Sequence, residues 1–222
     1  MVDISLASRF CQFVKRFAKI GKKRFLKGRI QRMEKNPHYF LAVRLPKEAK
    51  QLLHEKAEQL KSELKFARWV HPEDYHITLA FLGNASCSQL NRTKELVQKN
   101  INGTSVFSLT IQHFGTFGRK DSPRIFWAGL HKEERLHQLR NLVFSACEKA
   151  GFQLETRPFS PHITLARKWT GSSSFSPVFL TENNSIEKEP ITFEAKDVVL
   201  YQTHFEKTPK YEAVATFPLL TE

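Results

Sequence analysis

The chain is poor in cysteine, has no long apolar run and carries almost no acid in its first thirty-two residues. Its three cysteines (Cys11, Cys87 and Cys147) stand far apart in 222 residues, with no C-x-x-C pair. That number and spacing exclude a disulfide framework and a cysteine zinc site, and point to a reducing, cytoplasmic setting. No stretch approaches the roughly 20 apolar residues that a bilayer span needs, so a soluble protein is expected. Charges interrupt every apolar core that a secretory signal would require. Nine histidines are present, yet none is set at i, i+4 with a carboxylate as on a zinc-binding helix. No metal and no cofactor is therefore expected.

The shortage of acid is local. Residues 1–32 hold only Asp3 against ten lysines and arginines, a net of +9 out of +13 for the whole chain. A balance this basic favours an anionic partner, either nucleic acid or a membrane surface. Within the same segment Leu6, Phe10, Phe13, Phe17 and Ile20 recur at helical spacing, giving a basic amphipathic stripe that could lie on anionic lipid or on RNA phosphates. The plainer alternatives are a disordered leader or an extension upstream of a start at Met33, and a transit peptide has the same composition. A basic amphipathic stretch is a weak signal alone, so the plain extension is preferred over membrane contact. No long apolar edge stands out, and a monomer is expected.

A hydrophobic content of 41% suffices for one packed domain, placed at residues 38–222. Its pattern alternates. Strands are expected at 39–43, 69–70, 76–82, 107–111, 125–130, 159–166, 191–193, 198–201 and 211–217. Helices are expected at 47–64, where Leu52, Leu53, Leu60 and Leu64 stand among polar residues, at 87–100, and at 133–150 before Gly151. Residues 170–190 read as a surface loop. The order predicts an α+β fold, with a curved sheet around a cleft and helices outside.

One internal repeat stands out: His76-Ile77-Thr78-Leu79-Ala80 recurs as His162-Ile163-Thr164-Leu165-Ala166. Each copy is strand-forming, so His and Thr share one face while Ile and Leu point to the core. A single His-x-Thr is ordinary strand sequence; chance repetition of the whole pentapeptide in so short a chain is improbable. Two such strands facing one another gather two imidazoles and two hydroxyls. A neutral imidazole takes a proton from water and a protonated one gives a proton to a leaving oxygen, both near neutral pH. Hydroxyls and a nearby arginine suit the non-bridging oxygens of a phosphate. The residues alone do not say which histidine is acid and which is base.

At these positions the sequence resembles the 2H phosphoesterase superfamily, marked by two His-x-Thr-x motifs. Within it the chain is similar to the RNA 2′,3′-cyclic phosphodiesterases, first named 2′-5′ RNA ligases. The resemblance runs from Tyr39 to Leu220. It includes Phe40-Leu41-Ala42-Val43-Arg44-Leu45-Pro46, Arg68-Trp69-Val70, Phe81-Leu82-Gly83, Phe114-Gly115-Thr116-Phe117, Pro123-Arg124, Trp127, Gly151-Phe152 and Phe159 to Arg167. It implies a bilobal fold of two pseudo-symmetric, antiparallel-rich sheets around a central cleft. It further implies hydrolysis of 2′,3′-cyclic phosphate ends of RNA to 2′-phosphates without metal. His76 would be the proton donor and His162 the proton acceptor, with Thr78, Thr164 and Arg167 on the phosphate. Phe81 either stacks on a base or, by alternation with Leu79, packs in the core. Arg124 and Arg157 either line a groove or are solvated charges, and Phe114 and Phe117 are expected in the core. Two functions compete with this one: 2′-5′ ligation at the same site, and non-catalytic RNA or membrane binding through residues 1–32.

Overall fold

Nine strands arranged in two antiparallel sheets carry the site, and the sequence explains where they start and stop. The computed structural model describes residues 37–221; the basic segment 1–32 lies outside them. In chain order the elements are β1 (Tyr39–Arg44), α1 (Lys47–Lys61), β2 (Phe66–Trp69), a 3-10 turn (Pro72–Asp74) and β3 (His76–Gly83). Then come α2 (Cys87–Ile101), β4 (Phe107–Gly118), β5 (Pro123–Leu130), α3 (Glu134–Lys149) and β6 (His162–Trp169). Two short helices, α4 (Val178–Glu182) and α5 (Ser185–Lys188), precede β7 (Ile191–Ala195), β8 (Asp197–Thr203) and β9 (Tyr211–Pro218).

One sheet has the order β3-β1-β8-β9 and the other β2-β6-β5-β4-β7. The orders β3-β1-β8-β9 and β6-β5-β4-β7 correspond strand for strand, with β2 added beside β6. In each half a strand, a helix and an antiparallel return strand follow one another: β1–α1–β3 and β5–α3–β6. Both return strands begin with the repeated histidine. The fold is thus α+β with two pseudo-symmetric halves, and β3 of one sheet adjoins β6 of the other.

The helices form for local reasons. In α1 the buried stripe is Ala49, Leu53, Ala57 and Leu60, while Leu52, expected on the apolar face, is 48% exposed. Helix α2 opens with a capping box: Ser86 Oγ accepts from the Gln89 N–H, and the Gln89 side chain accepts from the Ser86 N–H. This satisfies two donors the first turn would otherwise leave orphaned. Helix α3 buries Leu136, Leu139, Val143, Ala146 and Cys147 and ends before Gly151 at φ 92°, a left-handed conformation that glycine adopts without strain.

Three differences from the expected elements affect the site. Strand β4 extends beyond residue 111 to Gly118, because Phe114 continues its buried face. Strand β6 begins at His162 rather than Phe159, since Pro158 and Pro161 break the ladder before it. The segment 170–190 is not all loop: α4 and α5 form there because Leu180 and Ile186 bury themselves in the core.

Candidate active site

The pentapeptide repeat adopts the same local structure twice. In both strands the first six residues share one burial sequence, with half-buried His and Thr, buried Ile, Leu and Ala, and an exposed sixth residue. Ile77, Leu79, Ile163 and Leu165 anchor the platforms in the core. Strict alternation would send the sixth residue back into the core. A register shift prevents this in each half: Leu41 pairs with Ala80 but Ala42 with Thr78, and Phe126 pairs with Ala166 but Trp127 with Thr164. The additional residue in each ladder, Leu79 or Leu165, flips the strand's phase. Phe81 and Arg167, each five residues after its histidine, therefore leave the core, and Phe81 is 56% exposed. Of the two readings of Phe81, the exposed one is observed.

Both imidazoles are held alike. His76 Nδ1 lies 2.7 Å from the carbonyl oxygen of Asp74, and His162 Nδ1 lies 2.8 Å from that of Ser160. A carbonyl can only accept, so each Nδ1 carries a hydrogen and each neutral ring has Nε2 as its basic nitrogen. His76 Nε2 is 3.1 Å from Thr78 Oγ1, whose hydroxyl can donate to it.

Each ring rests on aromatic residues, with a difference. Phe40, Tyr201 and Tyr211 surround His76, at ring-centroid distances of 4.7, 6.2 and 5.1 Å. Phe117 meets His162 edge-on at 4.8 Å, and Trp127 lies 6.2 Å away. Phe117, expected in the core, instead reaches the site, because the lengthened β4 carries it to the end of the sheet. Phe114 is in the core as expected. Trp127 can lie flat because Gly115 and Gly129 have no side chain: a Cβ on either would fall within 3 Å of its ring.

Burial on this aromatic bed pushes His76 down to about 4. The Asp74 carbonyl opposes the shift, while His162, Arg167 and Lys50 add to it. His162 is also lowered, again chiefly by burial, with Arg167 contributing and the Ser160 carbonyl opposing. The positive charge of Arg167 thus bears on both imidazoles. Burial holds Tyr201 up at about 12 and raises Tyr211, so both keep their hydroxyl protons at neutral pH.

Asp74 was not singled out from the sequence. It is 5% exposed; its carboxylate accepts from the Lys210 N–H at 2.9 and 3.0 Å and from the Tyr211 N–H at 3.1 Å. One residue thus clamps His76 through its carbonyl and pins the start of β9, with Tyr211, through its carboxylate. Its position two residues before the motif histidine, matching Ser160 before His162, was the available signal.

A cavity of about 570 Å³ is lined by Thr78 and His162 of the motifs and by Arg140 and Phe144 of α3. Phe81, Phe117, Arg157 and Phe159 also line it. Arg157 is exposed and paired with Glu155 at 2.8 Å, while Arg124 does not line the cavity. Among the described residues no three His, Cys, Asp or Glu side chains are grouped as metal ligands would be. No helix of the described residues is long and apolar enough to cross a membrane.

On this two-lobed antiparallel scaffold stand two imidazoles clamped alike; His162 and Thr78 line the cavity, whereas His76, Thr164 and Arg167 are not among its lining residues. The profile of the family described as LigT like Phosphoesterase matches residues 43–127 and 129–211, and the chain belongs to that family, within the 2H phosphoesterases. It is 46% identical over 186 residues to an RNA 2′,3′-cyclic phosphodiesterase of Geobacillus stearothermophilus, covering 84% of this chain and 58% of that protein. The chain thus spans under two thirds of that relative's length. It is 36% identical over 183 residues to the protein of the same name in Bacillus subtilis (strain 168), covering 82% of this chain and 97% of that one. Among solved structures, E. coli LigT complexed with 3′-AMP aligns with a TM-score of 0.67 at 26% identity, covering 84% of this chain and all of that one.

Proposed function

We propose that the protein hydrolyses the 2′,3′-cyclic phosphate at the end of an RNA chain to a 2′-phosphate. The observation that carries this reading is the pair of identically clamped imidazoles, each with Nε2 as its basic nitrogen and both under the charge of Arg167. The relatives named above are RNA 2′,3′-cyclic phosphodiesterases, which supports the same substrate.

In this scheme a water attacks phosphorus as the bond to the 3′ oxygen breaks. His162 Nε2 takes the proton of the water, and His76 Nε2–H gives one to the departing oxygen. Thr78, Thr164 and Arg167 hydrogen-bond the non-bridging oxygens, where negative charge grows. Water adds across one P–O bond, so no proton or electron is left over and the scheme calls on no cofactor. Burial leaves His76 with a low affinity for its proton. A bound phosphate anion favours the imidazolium, so substrate binding draws a proton onto the donor. The same desolvation makes that proton easy to give away once the phosphate's charge moves.

The test is hydrolysis of a short RNA ending in a 2′,3′-cyclic phosphate, with chelator present. A 2′-phosphate product supports the proposal; no turnover, or a 3′-phosphate product, overturns it.

A further inference from the structure

The cavity is also lined by a cation that the hydrolytic scheme does not use. Arg140, on α3, lines the cavity together with the motif residues. Its guanidinium lies 3.7 Å from the ring centroid of Phe144 and 5.6 Å from that of Phe159. Of the five N–H donors a guanidinium carries, one is used, by Asn141 Oδ1 at 3.3 Å. Its buried Nε has no hydrogen-bond partner among the described residues. Burial also pulls its pKa down, with Glu148 opposing. Neighbouring Arg157 differs, being exposed and committed to Glu155.

An aromatic-braced guanidinium with unused donors is suited to an incoming anion, since its planar fork matches phosphate oxygens and is already oriented. A bare cyclic phosphate bound at His76 and His162 offers this guanidinium no second anion. The group that follows it along an RNA chain is the phosphodiester on the 5′ side of the terminal nucleotide.

We propose that Arg140 forms a subsite for the backbone phosphodiester 5′ of the reacting nucleotide, and so makes the enzyme prefer RNA ends over free cyclic nucleotides. This rests on the hydrolase reading above. Arg140 is a specificity residue outside the acid–base pair; Phe144 and Phe159 hold it in place.

The experiment compares three substrates with wild type, Arg140→Gln and Arg140→Lys. They are adenosine 2′,3′-cyclic phosphate, the same nucleotide with a 5′-phosphate, and the dinucleotide ApA ending in a 2′,3′-cyclic phosphate. Wild type should favour the dinucleotide over the bare nucleotide about tenfold in kcat/KM, chiefly through KM, the size expected of a hydrogen-bonded charge. Arg140→Gln should lower the dinucleotide value about tenfold more than the bare-nucleotide value and flatten its salt dependence. Arg140→Lys, keeping the charge but not the fork, should fall between. If Arg140→Gln lowers both substrates equally, the residue only supports the fold and the inference fails. It fails too if wild type shows no preference, or if the gain is confined to the 5′-phosphorylated nucleotide. If wild type cleaves none of the three, the hydrolase reading itself has fallen, an outcome distinct from the others.

Discussion

The two halves of the site share a pentapeptide, a carbonyl clamp and a register shift, yet they give their histidines different surroundings. His76 sits among Phe40, Tyr201 and Tyr211 and is pushed down to about 4. His162 has Phe117 and Trp127 beside it and is lowered by the same cause. At the position five residues on, one half presents Phe81 and the other Arg167. A duplicated platform thus supplies identical geometry, while its neighbours differentiate the two imidazoles. What separates one imidazole from the other is the environment, since the local sequence is the same.

Several substitutions would break or sharpen this comparison. The largest effect is expected when either imidazole is lost. His76→Ala and His162→Ala should each reduce turnover by about 10²–10⁴-fold, as positioned acid–base groups do. The double variant should fall well short of the product of the two losses, since the groups act as a unit; multiplicative losses in single-turnover assays would contradict that. Next, Arg167→Met should cost about 10–100-fold in kcat/KM, the range for a hydrogen bond to a charged group. It should also raise the titration midpoints of both imidazoles in an NMR titration, because Arg167 lowers each. Were only one imidazole to move, the arginine would belong to one half.

Smaller effects follow. Phe81→Ala should weaken RNA binding by about 1–3 kcal/mol if the ring stacks on a base, read as a rise in KM with kcat retained. Asp74→Ala should destabilise the fold by about 1.5–3 kcal/mol in thermal unfolding, through two backbone donors left without their charged acceptor. Stability should also depend on pH. Folded His76 takes up its proton only near pH 4, against an ordinary value of 6.5. The unfolded chain therefore binds more protons between those values, and stability should be full above about pH 6.5 and fall as pH drops toward 4. His76→Gln should flatten that decline in a series of melting curves; an unchanged slope would mean another group causes it.

Much of the fold was legible because it follows short-range rules. Helix α1 showed in the spacing of Leu53, Leu60 and Leu64, helix α3 in the Gly151 that stops it, and the motif strands in their alternation. Less legible was whatever depended on a partner strand. Nothing local to Leu79 or Leu165 announces that it occupies an additional place in its ladder, so the outward turn of Phe81 was left open. The reach of Phe117 depends on β4 continuing past Ile111 as one arm of a hairpin with β5, which sets Phe117 opposite Ile125. Asp74 earns its place from Lys210 and Tyr211, more than 130 positions away. The histidines were legible for the opposite reason: repetition is visible without any structure.

The most direct test of a two-imidazole acid–base pair is the pH dependence of kcat/KM for a cyclic-phosphate RNA end, in wild type and in each single histidine variant. Wild type should give a bell. The residual activity of His76→Ala should lose the alkaline fall, because no donor need remain protonated, and that of His162→Ala should lose the acidic rise. The opposite loss in each would exchange the two roles, and bells retained in both variants would contradict the account.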